Sequence, residues 1–448
     1  MNTSDRPNTA QGEERIAALR EAFPPGGLFA HKHWNYSPEP LALDRKLVTE
    51  LEKLGHRLYV FQRAANEIYH RSVSGSLPSW IAAYLDAGKP ERLIEHGRSR
   101  KLREVTPRVI RPDLILTDDG FSITELDNLP GGIGLTAWLN ETYAGLSPDW
   151  QLIGGAEGMF EGFQDVLPGD GGKDIIVSKE SSDYRPEMDW LAARLRERGA
   201  DWKTECAEDY TPGGRDVYRF YELFDLDNVP PAEAIFSGAE SGEFEVSPPY
   251  KAFLEEKLWA GLFWMAPLRE VWKQTLRSNQ FKVLQRHFPF SWIVDPAPLP
   301  PHGVLPRLEV NSWEQVKQFS QKERELVLKI SGFSEIAWGS RSVKIGDDLP
   351  QVEWAESIDR ALADFETNPW VMQEFKKGRV VEHPYWDDES GRMQTMKGRV
   401  RLCPYYFLNP SGKPTTRLAG VLATIVPADK KIIHGMRDGI LVPCRIGE

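Results

Sequence analysis

Hydrophobic residues in the first hundred positions recur at steps of three or four, the spacing of one face of an α-helix. The clearest run contains Leu43, Leu47, Leu51, Leu54, Leu58, Phe61, Ala65 and Ile68. It predicts one long amphipathic helix, and residues 80–85 predict the start of another. We therefore expect residues 1–107 to form a helical N-terminal region.

Beyond this region the pattern changes to short apolar runs separated by turn residues, which predicts strands. Two runs flank Asp118-Asp119-Gly120, and this arrangement predicts a β-hairpin with Gly120 in the left-handed position of a three-residue loop. With that loop, Ile115 lies opposite Ile123. A helix is expected after the glycine-rich turn that follows, so residues 108–150 are predicted to form a hairpin and a helix.

A strand–helix–strand order follows. Residues 174–177 and 217–223 predict strands, and residues 187–198 predict the helix between them. This order is typical of a small α/β unit, which we assign to residues 151–250.

The remaining region, residues 251–448, begins with one long apolar helix or two and is then dominated by strands. Its predicted strands are residues 326–330, 342–345, 370–375, 399–408 and 418–426, with a helix at 358–365. The predicted fold class is therefore α+β, with antiparallel sheets and packed helices beside the small α/β lobe.

The hairpin carries charged residues at paired positions. The predicted loop places Asp113 opposite Glu125 and Arg111 opposite Asp127. Because side chains alternate along a strand, all four share one face. Carboxylates at close range repel one another and are stabilised by a cation, so the three acids are candidate metal ligands. A polar hairpin face with an ordinary Arg–Asp ion pair is the alternative.

A lysine on a strand precedes a loop that contains glycine and serine. Lys329 is followed by residues 331–341, and the candidate ligand contacts there are Ser331, Gly332, Gly339 and Ser340. Glycine lets backbone N–H groups approach phosphate oxygens, and the lysine adds a positive charge. The spacing is not that of a Walker A motif. A mobile hairpin with a solvent-facing lysine is the alternative.

Two later strands carry further polar candidates. One strand ends in Gln373-Glu374, where backbone groups can bind adenine and a carboxylate can bind ribose hydroxyls. Lys397, Arg399 and Arg401 alternate along the other strand and share one face, which favours an anionic ligand such as phosphate. The alternatives are a buried strand that ends at a polar surface, and pairing of the cations with nearby acids.

The turn Gly132-Ile-Gly134-Leu-Thr-Ala137 matches the pattern G-x-G-x-x-A and suggests a dinucleotide site. Acids at the preceding strand end would repel pyrophosphate, and no acid-terminated second strand follows about twenty residues later. Packing of small residues at a helix start also explains the glycines. A dinucleotide-dependent oxidoreductase is therefore the weaker alternative.

Composition narrows the classes of partner. The net charge of −11 argues against nucleic acid, and the sequence has no apolar run long enough to span a membrane. Its three cysteines are far apart and lack metal-site spacing, which predicts a reducing, cytoplasmic location. The sequence gives no indication of oligomeric state.

Taken together, the motifs resemble those of circularly permuted ATP-grasp ligases of the glutathionylspermidine synthase type. In that family an R-x-D element precedes an E-x-N element. Here Arg111-Pro112-Asp113 precedes Glu125-Leu126-Asp127 at the matching interval, with Asp127 in place of the usual Asn. The lysine with its loop, the hinge strand and a late arginine then follow in the family's order, so the resemblance spans roughly residues 108–448.

The resemblance implies an enzyme that uses ATP and Mg²⁺ to join a small-molecule or peptide carboxylate to an amine through an acyl phosphate. It implies a metal set of Asp113, Glu125 and Asp127, a catalytic Arg111, and nucleotide contacts by Lys329, the 331–341 loop, Gln373, Glu374 and Arg399 or Arg401. Residues 151–250 would be the lobe that accompanies the ATP-grasp core, and residues 251–448 the nucleotide-binding region. A non-catalytic nucleotide-binding protein of the same fold is the main alternative.

Overall fold

A computed structural model describes residues 9–24, 33–337, 341–411, 414–433 and 438–447. The α-helices in this part of the chain are α1 (Thr9–Ala22), α2 (Arg45–Val73), α3 (Trp80–Asp86), α4 (Glu91–Arg98), α5 (Ile133–Leu146), α6 (Gly158–Val166), α7 (Arg185–Glu197), α8 (Ala232–Ser241), α9 (Leu258–Trp264), α10 (Arg269–Leu276), α11 (Ser278–His287), α12 (Trp313–Lys317) and α13 (Gln351–Ala363). None of them is both long and apolar enough to cross a bilayer.

The strands include both short edge strands and one of 18 residues. They are β1 (Leu41–Leu43), β2 (Val109–Thr117), β3 (Gly120–Asp127), β4 (Lys173–Val177), β5 (Trp202–Cys206), β6 (Asp216–Phe220), β7 (Val246–Ser247), β8 (Ser291–Ile293), β9 (Leu326–Ile330), β10 (Lys344–Ile345), β11 (Trp370–Glu374), β12 (Val380–Asp387), β13 (Arg392–Asn409), β14 (Thr415–Pro427) and β15 (Ile440–Ile446). The fold is therefore mixed α+β, as the hydrophobic pattern predicts.

The chain divides into two compact units, each built from segments distant in sequence. The first unit comprises Met1–Tyr59, Pro107–Pro248 and Lys377–Glu448, and the second comprises Val60–Thr106 and Pro249–Lys376. Residues 251–448 therefore contribute to both units. The long helix predicted from the N-terminal pattern is confirmed as α2, which begins two residues after Leu43.

The main sheet of the first unit has the order β1-β15-β14-β13-β2-β3, with β12 also paired to β13. Helix α2 packs closely on this sheet, and the Tyr406 hydroxyl of the sheet donates a hydrogen bond to the Leu51 carbonyl of the helix at 2.6 Å. A Cβ atom on Gly55 would lie 2.4 Å from the Tyr406 ring, so glycine is required at this contact. The sheet positions β2 and β3 beside β13.

The predicted hairpin forms, but its register changes along its length. Arg111 pairs with Asp127 and Asp113 with Glu125, as predicted, whereas Ile115 pairs with Ser122 and not with Ile123. The predicted three-residue loop is also wrong, because Thr117 pairs with Gly120 and leaves a two-residue turn. The reason is a β-bulge after Asp113, where one strand carries an extra residue.

A smaller, fully parallel sheet in the first unit has the order β5-β4-β6-β7. The predicted strand at 174–177, helix at 187–198 and strand at 217–223 correspond to β4, α7 and β6, whereas β5, which follows α7 directly, was not predicted. Gly199 follows α7 with a φ of +85°, a left-handed conformation that favours glycine just beyond a helix end.

The sheet of the second unit is antiparallel, with the order β10-β9-β11-β8. One face packs on a core that includes Leu328, Met372, Trp354 and Ile358. Lys329 pairs with Val371, so its side chain lies on the opposite face. The long apolar segment before this sheet forms two helices, α9 and α10, separated by a short turn that contains Pro267.

Candidate functional site

The charged face of the β2–β3 hairpin forms one compact set of side chains. The Arg111 guanidinium lies 3.1 Å from the Asp113 carboxylate and 2.9 Å from the Asp127 carboxylate. Arg401, on the neighbouring strand β13, lies 3.0 Å from the other Asp113 oxygen. We call Arg111, Asp113, Glu125, Asp127 and Arg401 the acidic–arginine cluster.

The charges of the five cluster members do not balance. The three carboxylates and two guanidinium groups leave one net negative charge when all are ionised. Burial raises the pKa of Asp127 above its usual value, and the Glu125 and Asp113 carboxylates add to this effect although Arg111 opposes it. Burial disfavours the charge on Arg111, but Asp113 and Asp127 together raise the pKa of Arg111. A further cation would relieve the repulsion between the carboxylates.

Both arginines of the cluster retain an unused donor. The Nε atoms of Arg111 and Arg401 are buried and have no hydrogen-bond partner within the described ranges. Buried N–H groups are usually paired, and an unpaired one calls for an explanation. An anionic ligand with oxygen acceptors would supply the missing partners.

Strand β13 also brings Cys403 and Tyr405 to this site. The Cys403 sulfur lies 3.5 Å from an Asp113 oxygen, and the Tyr405 hydroxyl donates to the Gly131 carbonyl at 2.8 Å. Burial and the Asp113 carboxylate raise the pKa of the Cys403 thiol to about 12. Our sequence analysis missed both residues, although their two-residue spacing from Arg401 would have placed them on the same face.

Arg399 has a different environment from Arg401. Its Nε atom donates to the Ala428 carbonyl at 2.9 Å, and its Nη1 atom donates to the Gly378 carbonyl. The sequence left open which of the two arginines contacts phosphate. In the structure Arg401 lies in the cluster, whereas Arg399 binds the carbonyls of neighbouring backbone segments.

The donors of the cluster are of the type that Mg²⁺ prefers. In the part of the chain that the structure describes, no three histidine, cysteine, aspartate or glutamate side chains are grouped to hold a metal. Mg²⁺, however, is usually bound by one or two carboxylates together with substrate phosphates and water. Asp113 and Glu125 are direct cross-strand neighbours, so the cluster fits that kind of site.

The glycine-rich turn after β3 is already occupied by a carboxylate of the chain. Glu187 accepts hydrogen bonds from the N–H groups of Gly132 at 3.2 Å, Gly134 at 2.7 Å and Leu135 at 3.2 Å. A Cβ atom on Gly134 would lie 2.7 Å from the Glu187 side chain. Because a pyrophosphate would need these same amides, the turn serves to cap α5 and does not support the dinucleotide alternative.

In the second unit, Lys329 belongs to a buried polar chain. Its Nζ atom lies 3.2 Å from the Gln373 side-chain oxygen, and the Gln373 amide donates to the Ser291 hydroxyl at 3.1 Å. All three residues are at most 8% exposed. The structure therefore brings together two of the predicted nucleotide contacts, Lys329 and Gln373, on one sheet face.

Glu374, the predicted ribose contact, is paired with two cations. Arg307 lies 2.7 Å from one carboxylate oxygen and Lys376 lies 2.8 Å from the other. Burial opposes ionisation, but the hydrogen bonds from Lys376 and Arg307 hold the pKa of Glu374 below its usual value. A ribose hydroxyl would therefore have to share or replace these partners.

The predicted phosphate loop begins against another carboxylate. Ser331 donates a hydrogen bond from its hydroxyl to Glu256, and Gly332 donates from its backbone N–H at 3.1 Å. Two other predicted contacts of this loop, Gly339 and Ser340, lie outside the described residues. The sequence offers no motif around Glu256 that would have identified this partner.

Comparisons with known proteins give a likeness in structure alone. No protein-family model and no curated protein matches the sequence. The chain is similar to a glutathione synthetase-like effector from Globodera pallida in its apo form, with a TM-score of 0.56 and 11% identity over 99% of this chain and 98% of that chain. It also aligns with a protein provisionally described as a gamma-glutamylcysteine synthetase from Methylobacillus flagellatus KT, with 11% identity over 78% of this chain and 82% of that one, but the TM-score of 0.37 supports no argument. The chain thus shares the fold of a glutathione synthetase-like protein over almost its whole length.

Proposed function

We propose that the protein is an ATP-dependent ligase of the ATP-grasp type that joins a carboxylate to an amine. The observation that carries this proposal is the acidic–arginine cluster, which gathers three carboxylates and two guanidinium groups, and whose two arginine Nε donors lack partners among the described residues. A phosphate-bound divalent cation would offer positive charge to the carboxylates and oxygen acceptors to the arginines. The fold shared with a glutathione synthetase-like protein is a second, independent support.

In this proposal the first unit provides the residues that neutralise charge. Asp113 and Glu125, with Asp127 beside them, would hold Mg²⁺, and the bound ion would screen the charge of the ATP phosphates. Arg111 and Arg401 donate hydrogen bonds to oxygens of the transferred phosphoryl group. Donors fixed in advance in a buried site stabilise such developing charge more effectively than water does.

The second unit provides the proposed nucleotide contacts. Lys329 binds phosphate, Gln373 and the adjoining backbone bind adenine, and Glu374 binds the ribose. The substrate carboxylate attacks the terminal phosphorus and ADP leaves, which gives an acyl phosphate. The amine then attacks the acyl carbon, and phosphate leaves as the amide forms. The 331–341 loop would exclude water, which otherwise hydrolyses the acyl phosphate.

The test is release of ADP by the purified protein. Wild-type protein is incubated with ATP, Mg²⁺ and a panel of amino acids, short peptides and amines, and ADP is measured with each acid alone, each amine alone and each pair. We expect ADP release that requires Mg²⁺, an acid and an amine, with formation of the amide detected by mass spectrometry. ATP binding without ADP release from any pair would contradict the proposed activity.

A second candidate is nucleotide binding without catalysis. It is favoured by the partners that several site residues already have, since Arg111 and Arg401 neutralise Asp113, and Glu256 accepts the Gly332 amide. Both candidates would bind ATP with Mg²⁺, because the same carboxylates would otherwise repel the phosphates. Binding measured by calorimetry together with ADP release therefore distinguishes them: a binding protein takes up ATP but releases no ADP with any acid and amine.

A further inference from the structure

A buried ion pair lies beside the first residues of the proposed phosphate loop. Lys89 and Glu256 are 2.5 Å apart, and both side chains are only 1% exposed. Removing two charges from water is costly, and such a pair often adds little net stability compared with apolar residues of the same size. Its presence therefore calls for a role other than stability.

Glu256 uses both of its carboxylate oxygens. One oxygen faces Lys89, and the other accepts hydrogen bonds from the Ser331 hydroxyl and the Gly332 N–H. The Ser331 hydroxyl oxygen in turn accepts from the Leu258 N–H at 3.3 Å. Glu256 thus connects the cation to the residues that directly follow β9 and Lys329.

Neighbours of Glu256 hold the same loop at two further points. A Cβ atom on Gly332 would lie 2.0 Å from the Glu255 carbonyl oxygen, so the loop backbone runs directly against this segment. Lys257 donates to the Ala337 carbonyl at 3.2 Å, and the Lys89 ammonium lies 5.6 Å from the centre of the Phe333 ring. Residues 255–257 and Lys89 therefore contact the loop from residue 331 to residue 337.

While the Gly332 N–H donates to Glu256, it cannot also donate to a phosphate. A backbone N–H carries one hydrogen, and that of Gly332 is directed at Glu256. Withdrawal of Glu256 would leave the Lys89 ammonium buried without its counter-ion, which is strongly unfavourable. The pair is thus built to stay in place when a ligand binds.

We propose that Lys89 and Glu256 are positioning residues of the nucleotide site. They hold Ser331 and Gly332, the first two residues of the loop, in place. The position of these two residues sets the direction of Lys329 and of the loop residues beyond Gly332. Ser331 and Gly332 then act through Glu256 and do not themselves contact phosphate. This inference rests on the proposed function, and it revises the role that the sequence suggested for these two residues.

The experiment combines hydrogen–deuterium exchange of residues 331–337 without nucleotide and calorimetry with Mg²⁺ and ATP. Glu256→Gln keeps the size and one oxygen acceptor but leaves Lys89 without its counter-ion. The double variant Lys89→Met/Glu256→Gln removes both charges and keeps that acceptor. Lys317→Met is the matched control, because Lys317 is also a paired and largely buried lysine of the second unit.

We expect faster exchange of residues 331–337 and about tenfold weaker ATP binding in Glu256→Gln, since a charge-assisted hydrogen bond is lost. The double variant should recover most of the exchange protection and most of the affinity. Lys317→Met should leave both quantities near their wild-type values, which separates positioning from general destabilisation.

Several outcomes would overturn the inference. Unchanged exchange and affinity in Glu256→Gln would show that the pair does not position the loop. Tighter ATP binding in this variant would mean that Glu256 competes with phosphate. Wild-type protein that binds no ATP would contradict the proposed function and the positioning role together, while the exchange data would still decide whether Glu256 holds the loop.

Discussion

The two units carry candidate residues in opposite electrostatic states. In the first unit, the acidic–arginine cluster has three carboxylates for two guanidinium groups, and two of its buried donors lack partners among the described residues. In the second unit the candidate groups already have partners from the chain itself, since Gln373 contacts Lys329, Glu374 has Arg307 and Lys376, and Gly332 has Glu256. Within the described residues, the first set thus retains buried donors for a ligand, whereas the second is largely satisfied.

This difference predicts how strongly each set responds to substitution. A ligand that binds the first set adds interactions that the free protein lacks, so removal of one member should cost much of the transition-state stabilisation. A ligand that binds the second set exchanges existing hydrogen bonds for new ones, and the net gain is smaller. We therefore expect the largest effects in the cluster and smaller ones around Lys329.

Substitution of Asp113 should have the largest effect. Asp113→Asn keeps the shape but removes the charge that faces both Arg111 and Arg401. We expect ATP turnover to fall about a thousandfold or more, because the metal and both arginines lose their common partner. The measurement is ADP release at saturating Mg²⁺, with the folded state checked by circular dichroism. Turnover retained in both Asp113→Asn and Glu125→Gln would remove the metal assignment.

Glu187→Gln is the matched control for this prediction. Glu187 is also a buried carboxylate of the first unit, but it accepts hydrogen bonds from three backbone amides at the start of α5. Its substitution should lower the free energy of unfolding by about 1–3 kcal/mol and should reduce turnover far less than Asp113→Asn does. The reverse result would mean that Glu187, and not Asp113, is the functional acid.

Arg399 and Arg401 provide a sharper comparison within strand β13. Arg401→Lys should lower turnover about a hundredfold, because an ammonium cannot reproduce the fixed guanidinium donors. Arg399→Lys should leave turnover within a few fold, since Arg399 donates to the carbonyls of Gly378 and Ala428. The measurement is the steady-state turnover rate of each variant. Equal losses of turnover in the two variants would contradict the assignment of Arg401, and not Arg399, to the site.

Arg399 and Arg401 also show how much of the candidate site can be predicted from the sequence. Alternation along β13 places Arg399 and Arg401 on one face, and the local pairing of the hairpin brings Arg111, Asp113, Glu125 and Asp127 together. Both inferences depend on residues close in sequence. Only the register between β13 and β2, where Arg401 pairs with Ile115, decides which arginine meets Asp113. That register joins residues 286 positions apart, so no local pattern specifies it.

The parts that sequence analysis missed share this long-range character. Glu187 reaches Gly134 across 53 positions, and Glu256 reaches Ser331 across 75. Each lies on a segment whose own pattern indicates only a helix or a loop. The bulge after Asp113 is a local feature, in which one extra residue of β3 lets Leu114 pair with Ile123 and Leu116 with Phe121. Local periodicity thus predicts elements and faces, whereas partners across the fold require the structure.

Substitution of Lys329 tests the second set. Lys329→Met should weaken Mg²⁺–ATP binding about tenfold, because a charge-assisted contact to phosphate is lost. The loss is limited because the free protein gives up its hydrogen bond to Gln373 as well. Calorimetric titration measures the change, with Lys317→Met as the control for loss of a buried lysine. A loss as large as that in the Asp113 variant would erase the difference between the two sets.

Another buried lysine of the second unit, Lys251, shows how a cation with partners for all three donors should behave. Its three donors contact the Asn66 side chain at 2.9 Å and the carbonyls of Arg103 at 3.0 Å and Val105 at 2.8 Å. Burial lowers the pKa of Lys251 to about 7, from an ordinary value of 10.5, with nearby Arg103 adding to the shift and Glu104 opposing it.

The sign of the pH effect follows from proton binding. Between pH 7 and 10.5 the unfolded chain holds this proton more tightly than the folded protein does, so the free energy of unfolding should rise with pH. We expect the rise from pH 7 to pH 9 to be on the order of 1 kcal/mol larger in wild type than in Lys251→Met, as measured by urea denaturation. ATP affinity should not change with this variant. If it fell as it does in Lys329→Met, the two lysines would belong to one site, and the separation of structural from ligand-binding cations in this unit would not hold.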